Sequence, residues 1–295
     1  MIIVTGPTGN TGRQIISGLQ EKQIPFVAMV RSPERQSQLT AQGIPNILAD
    51  FEQPDSLRMA IAMTGADRAF LVCTPDARLT RCERNFIAAA KESGIRHIVK
   101  AGAYAAAHDA GSPNLRMHAE VEDTLRESGI PYTIVRPHGF MQTFFWMSAP
   151  LVMQYGILSY PAGDGPIPLI DVRDAGAAML KVLTEPGYEN RAFNLTGPQA
   201  LNSHQMAEIW SSVMGKPVKY VPSSLDDLDA LMRQMGVPDY PREHVLWCFR
   251  EQANGSFDYT SNDHIDLGIT LHSYAEFAAD LVAGKTSVAT SDFSR

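Results

Sequence analysis

Three glycines at fixed spacing carry the first chemical signal. The run "VTGPTGNTGR" sets Gly6, Gly9 and Gly12 as G-x-x-G-x-x-G, directly after the apolar "IIVT" and at the opening of a helical pattern. Glycines there let the backbone turn tightly and approach a pyrophosphate, whose charge is bound by N–H groups of the first helical turn. The motif is weak alone and gains weight from this strand-to-helix setting. With Thr8, Asn10 and Thr11 between the glycines, the loop is expected to hold a dinucleotide. A glycine-rich turn without a ligand is the blander reading of the same residues.

The end of the second apolar run decides between cofactors. An acid there would hold a ribose 2′-hydroxyl. The chain instead reads "MVRSPERQ", with Arg31 and Arg35. Guanidinium groups pair with a 2′-phosphate, which a carboxylate would repel. NADPH is therefore expected in preference to NADH, against the alternative of a solvated basic turn. By topology alone, Asp50 and Phe51 should flank the adenine, and Thr74 and Pro75 should border the middle of the cofactor.

These residues need a scaffold, and the first 135 positions supply one. Runs that are apolar throughout lie at 2–5, 25–30, 46–49, 68–72, 97–101 and 132–135, with amphipathic helical patterns between them. Strands of that kind, separated by helices, indicate a parallel sheet covered on both faces. The expected fold is α/β, a doubly wound Rossmann-type sheet with a smaller, mostly helical C-terminal substrate lobe. We expect a nucleotide-binding domain over 1–150, an interleaved lobe over 151–285 and a frayed tail over 286–295.

Composition removes other classes. Charged residues make up 19% and the formal net charge is −7, with no basic stripe, so nucleic acid is not an expected partner. No apolar run approaches the ~18–20 residues of a membrane helix. With a strand read from Ile2 onward, no leader peptide is expected. Cys73, Cys82 and Cys248 have no metal spacing, so no metal is expected. A sparse, odd set of thiols suits a reducing cytoplasm. Cys73 reads as a small core residue more than as a reactive thiol.

Together, "VTGPTGNTG", "VRSPER", "LADFEQPDSL", "HIVKAGA", "HAEVEDTLRESGIPYTIVRPHGFMQ" and "IDVRDAGAAMLKVL" resemble the NmrA-like branch of the atypical short-chain dehydrogenase/reductases, from residue 1 to about residue 280. The resemblance implies a Rossmann domain with a small substrate lobe. It also implies one of several activities: NAD(P)H-dependent reduction of quinones, azo dyes or triphenylmethane dyes, reduction of aromatic ethers and lignans, or non-enzymatic NADP(H) sensing with a protein partner. Typical short-chain dehydrogenases carry a Ser after the fifth strand and a Tyr-x-x-x-Lys on the next helix. Here Ala101 and Gly102 stand near the Ser position, Asn114 at the Tyr position and His118 at the Lys position. The triad is missing. A His at the place of His118 resembles the quinone and dye reductases of the family, and the missing Lys counts against ether reduction.

Reduction of a quinone or azo bond needs hydride delivered to an acceptor that is already electrophilic, so orientation and water exclusion can suffice. His118 and Tyr104 are the candidate proton donors. Their structural alternatives are a helix residue bonding ribose or backbone, and loop packing. After the sixth strand, Pro137 should run beneath the nicotinamide. His138 could bond a substrate carbonyl, and Phe140, Met141 and Phe144 offer an aromatic and apolar surface, part of which must be core. Asp171 and Asp174 read as helix caps.

The expected function is an NADPH-dependent reductase of a small aromatic acceptor. The alternative is an NADP(H) sensor that binds a protein partner, and an isomerase or lyase is disfavoured because no strong base is evident. A homodimer is left open.

Overall fold

A computed structural model describes residues 1–287; most of the expected frayed tail, 288–295, lies outside the described residues. The first half alternates strand and helix. It runs β1 (Ile2–Val4), α1 (Asn10–Glu21), β2 (Phe26–Val30), α2 (Pro33–Ala41), β3 (Asn46–Leu48), α3 (Pro54–Thr64), β4 (Arg68–Leu71), α4 (Leu79–Glu92), β5 (His97–Ala101), α5 (Pro113–Glu127) and β6 (Tyr132–Pro137). Local chemistry sets the ends. Proline opens α2, α3 and α5, where its missing N–H costs nothing. Just beyond α4 and α5, Gly94 and Gly129 take φ of 78° and 77°, which halts the helix.

Past β6 come α6 (Met141–Trp146), α7 (Ala149–Tyr155), β7 (Ile157–Leu158), α8 (Val172–Thr184), β8 (Arg191–Leu195), α9 (Ser203–Met214), β9 (Lys219–Tyr220), α10 (Leu225–Gln234), α11 (Asp239–Ala253), α12 (Asp263–Asp266) and α13 (Tyr274–Val282). Two of these join the main sheet layer. β8 pairs with β6, and α8 packs against α1. Asp171 caps α8 by accepting from the Arg173 N–H at 2.8 Å, and Asp174 sits in its first turn, as read from the sequence.

The result is the expected doubly wound fold. Seven strands run in the order β3-β2-β1-β4-β5-β6-β8, every pair parallel. Strand alternation divides the core. Ile2, Val4, Phe70, Val99 and Val135 face α1 and α8, while Ile3, Leu71, Ile98 and Ile134 face α3, α4 and α5. The order reverses between β1 and β4, which opens a crevice at the carboxyl ends of the strands. A third core fills the lobe, where Phe145 stacks on Trp210 at 4.1 Å and the Trp210 indole donates to the Tyr274 hydroxyl at 3.1 Å.

Candidate active site

The glycine loop lies at the switch point. Thr5 ties it to β4, its hydroxyl lying 3.1 Å from the Phe70 carbonyl and 2.9 Å from that of Val72. Gly6 has φ +55°, and a Cβ there would stand 2.6 Å from a Val72 methyl. A Cβ on Gly12 would lie 2.1 Å from the Gly6 carbonyl oxygen, so the loop folds onto its own helix only because that atom is absent. Gly9 caps α1 with no side-chain acceptor, and the first turn carries no acid. An external phosphate can take the place that a capping carboxylate would fill, so these residues fit a dinucleotide. Thr8 and Asn10 are half-buried on the loop and Thr11 is buried. The Asn10 amide donates to the Thr143 hydroxyl at 3.3 Å, linking loop to lobe.

Arg31 is exposed directly after β2, and Arg35 follows in the first turn of α2, where Ser32 caps its N–H at 3.3 Å. Burial pushes the nearby Asp76 carboxyl up, but hydrogen bonds from Arg78 and the charges of Arg78 and Arg31 bring it below the usual carboxylate range. Asp50 accepts from the Glu52 N–H at 2.9 Å, and Phe51 packs its ring 5.4 Å from that of Phe86. Thr74 and Pro75 are exposed after β4.

Under this surface lies a buried charge network. Lys100, on β5, is fully buried and donates to Glu83 at 2.5 Å, to the Ala101 carbonyl at 3.2 Å and to His118 Nδ1 at 3.3 Å. An ammonium has three hydrogens, and here it finds three acceptors. His118 Nδ1 must then be unprotonated, which leaves the proton on Nε2. Burial first, then the charge of Lys100, holds the His118 imidazole well below its usual range, so the ring is neutral at pH 7. Burial pushes the Glu83 carboxyl up against the pull of Lys100.

Between sheet and lobe opens a cavity of about 400 Å³, within the size of small-molecule sites. On its sheet side stand Asn10, Pro75, Gly102, Tyr104, Asn114, Pro137 and His138. Phe140 and Phe144 line it from α6 and the residue before it, whereas Met141 is 1% exposed and turns into the lobe core. Helical spacing thus sorts the aromatic run into surface and core. His118 is not among the lining residues, although Asn114 and Leu115 of the same helix are. The rings of Tyr104 and Tyr259 stack at 5.0 Å, with His138 5.5 Å from Tyr104 and 4.9 Å from Phe257. The Gly139 N–H donates to His138 Nδ1 at 2.7 Å, so the neutral ring presents Nε2–H as its donor. Burial lowers His138 to about 4.

The opposite wall comes from α11, through Tyr240, His244, Trp247, Cys248 and Phe249. The Tyr240 hydroxyl donates to Asn114 Oδ1 at 3.3 Å, and Ser112 Oγ lies 2.8 Å from His244 Nδ1. Burial pushes Tyr240 and Cys248 up to about 12 and His244 down to about 4. Burial first, then the charge of Glu83, likewise raises the Cys73 thiol.

Sequence reasoning missed this wall and the Lys100 pair. Both left signals. A lysine inside the apolar strand "HIVKA" must find a partner, and Glu83 sits on the buried stripe of α4 with Leu79, Cys82 and Phe86. On α11, Pro241, His244/Val245, Cys248/Phe249 and Gln252 recur at helical spacing, a stripe too polar for plain core.

Known proteins resemble this chain in sequence and in fold. The NAD(P)H azoreductase of Xenophilus azovorans is 35% identical over 239 residues, covering 81% of this chain and 82% of its own. Quinone oxidoreductase 2 of Escherichia coli is 33% identical over 81% of this chain and 83% of its own length. The structure of the E. coli NADPH-dependent quinone oxidoreductase with NADPH superposes with a TM-score of 0.84 at 29% identity, over 96% of this chain and all of that one. The triphenylmethane reductase of Citrobacter sp. with NADP(H) also gives 0.84 at 29%, over 95% and 99%. The NmrA-like family model matches residues 1–272, and with its glycine loop at the switch point and its lobe-walled cavity the chain belongs to the NmrA-like family.

Proposed function

We propose that the chain is an NADPH-dependent reductase that delivers hydride to a flat aromatic electrophile of the quinone or azo-dye class. Kinship with the azoreductase and the quinone oxidoreductase makes the chain an NAD(P)H-dependent oxidoreductase. The cavity supports NADPH and a flat aromatic acceptor. One space is bordered by Asn10 of the phosphate loop, by Pro75, Pro137 and His138 at the strand ends, and by the aromatic face of α11. Cofactor and acceptor can therefore meet in a single chamber.

NADPH supplies the hydride when bound. The chain's own residues do the rest. Gly6, Gly9 and Gly12 give the pyrophosphate close access to the helix N-terminus, and Arg31 and Arg35 present guanidinium groups where a 2′-phosphate would lie. His138 offers Nε2–H to an acceptor oxygen or nitrogen, and Tyr104, Phe144 and Phe257 supply flat contact area. Apolar walls strengthen each of these polar contacts by keeping water out.

The test is NADPH and NADH oxidation against a panel of quinones and azo dyes, alongside dissociation constants for both nucleotides. Turnover with at least one panel member and tighter binding of NADPH than of NADH are expected. Tight NADPH binding without turnover of any acceptor would overturn the reading in favour of an NADP(H) sensor.

A further inference from the structure

Resting on the reductase reading, we propose that Tyr240, brought by α11 from the C-terminal lobe and oriented by Asn114, is the proton donor to the reduced acceptor, and that the site is thereby equipped for acceptors, such as azo compounds, whose hydride adduct is a strong base.

The position makes the case. Asn114 opens α5 where the wider dehydrogenase class has its tyrosine, and it lines the cavity beside Gly102 and Leu115. Its amide oxygen receives the Tyr240 hydroxyl at 3.3 Å. A phenol thus reaches the residue at the tyrosine's sequence position, supplied by a different element. Asn114 is buried and holds the phenol oxygen in place, and the single O–H hydrogen, given to Asn114 here, turns about the C–O bond to meet a stronger base in the cavity that Tyr240 lines. His118 cannot take the role, since its ring is neutral and it does not line the cavity.

The chemistry separates acceptors. An azo group that has gained hydride carries the electron pair as an anion on the second nitrogen, a strong base. The Tyr240 O–H bond breaks, an N–H bond forms, and the phenolate recovers a proton from water at the cavity mouth. A quinone that has gained hydride becomes a stabilised phenolate, a weak base that solvent protonates after release. A phenol held at about 12 by burial gives its proton readily to the nitrogen anion and reluctantly to the phenolate.

Tyr240→Phe is the test, with Tyr104→Phe beside it. Tyr240→Phe is expected to lower azo turnover about 100-fold and quinone turnover only about threefold, at the lower end of general acid catalysis for the first. An azo dye titrated by its absorbance shift, without reduction, should bind the variant about 2- to 10-fold more weakly, the worth of one hydrogen bond. NADPH affinity should hold, and Tyr104→Phe should change both turnovers by one common factor. Equal losses on azo and quinone for Tyr240→Phe, an azo-selective loss in Tyr104→Phe instead, or no azo turnover in an enzyme that reduces quinones would each overturn the assignment. Absence of turnover with any acceptor would instead sink the reductase reading itself.

Discussion

Lys100 is the residue on which the catalytic side of the sheet balances. A lone ammonium with no exposed surface would be costly, and it stands here because Glu83, the Ala101 carbonyl and His118 take all three of its hydrogens. The same bonds fix the His118 tautomer. Lys100→Met would leave Glu83 buried with an unpaired carboxylate, and we expect a loss of about 3–5 kcal/mol. Adding Glu83→Leu should recover most of it, since a buried pair replaced by apolar groups is close to neutral. Urea unfolding of the single and double variants measures both. A double variant no more stable than Lys100→Met would show that the pair acts through something other than mutual charge compensation.

At the scale of elements, α11 decides the shape of the acceptor side, and two glycines let it come close. A Cβ on Gly165 would stand 1.6 Å from the Gln252 backbone oxygen, and one on Gly111 would stand 2.4 Å from the Trp247 indole nitrogen. Gln252 closes the joint by donating to the Gly165 carbonyl at 3.0 Å. Gly165→Ala must push the last turns of α11 outward. The expected cost is about 1–3 kcal/mol in stability, typical of overpacking. Acceptor affinity should fall while NADPH affinity stays, because the phosphate loop does not touch this joint. A thermal melt and two ligand titrations check it; equal weakening of nucleotide and acceptor would mean that α11 is not an independent wall.

At the scale of the molecule, the sheet was legible because its strands are apolar on both faces and its helices end on glycine. Ile2–Val4, Phe26–Val30 and His97–Ala101 need no tertiary knowledge to be read. The phosphate loop was legible for a similar reason, being local chain chemistry. The acceptor wall was not, because Tyr240 meets Asn114 across 126 positions of sequence and a helix stripe does not name its partner. β8 was readable as a strand, but its place beside β6 depends on the long return through α8. What long-range packing adds is burial of titratable rings, and that has a measurable consequence. His138 and His244 are lowered from 6.5 to about 4 by burial. As pH falls below 6.5 the unfolded chain takes up protons that the folded chain refuses, so stability falls with pH across that window. By pH 4.5 each imidazole accounts for roughly 2–3 kcal/mol. Carboxyls held low, such as Asp67 and Asp76, lose their contribution only below the ordinary carboxylate range. Glu83 and Asp174, raised by burial, oppose part of the slope. The urea midpoint should therefore drop between pH 7 and 4.5, and the drop should shrink in His244→Asn and shrink further with His138→Asn added. An undiminished drop in the double variant would place the acid sensitivity elsewhere than in the walls of the cavity.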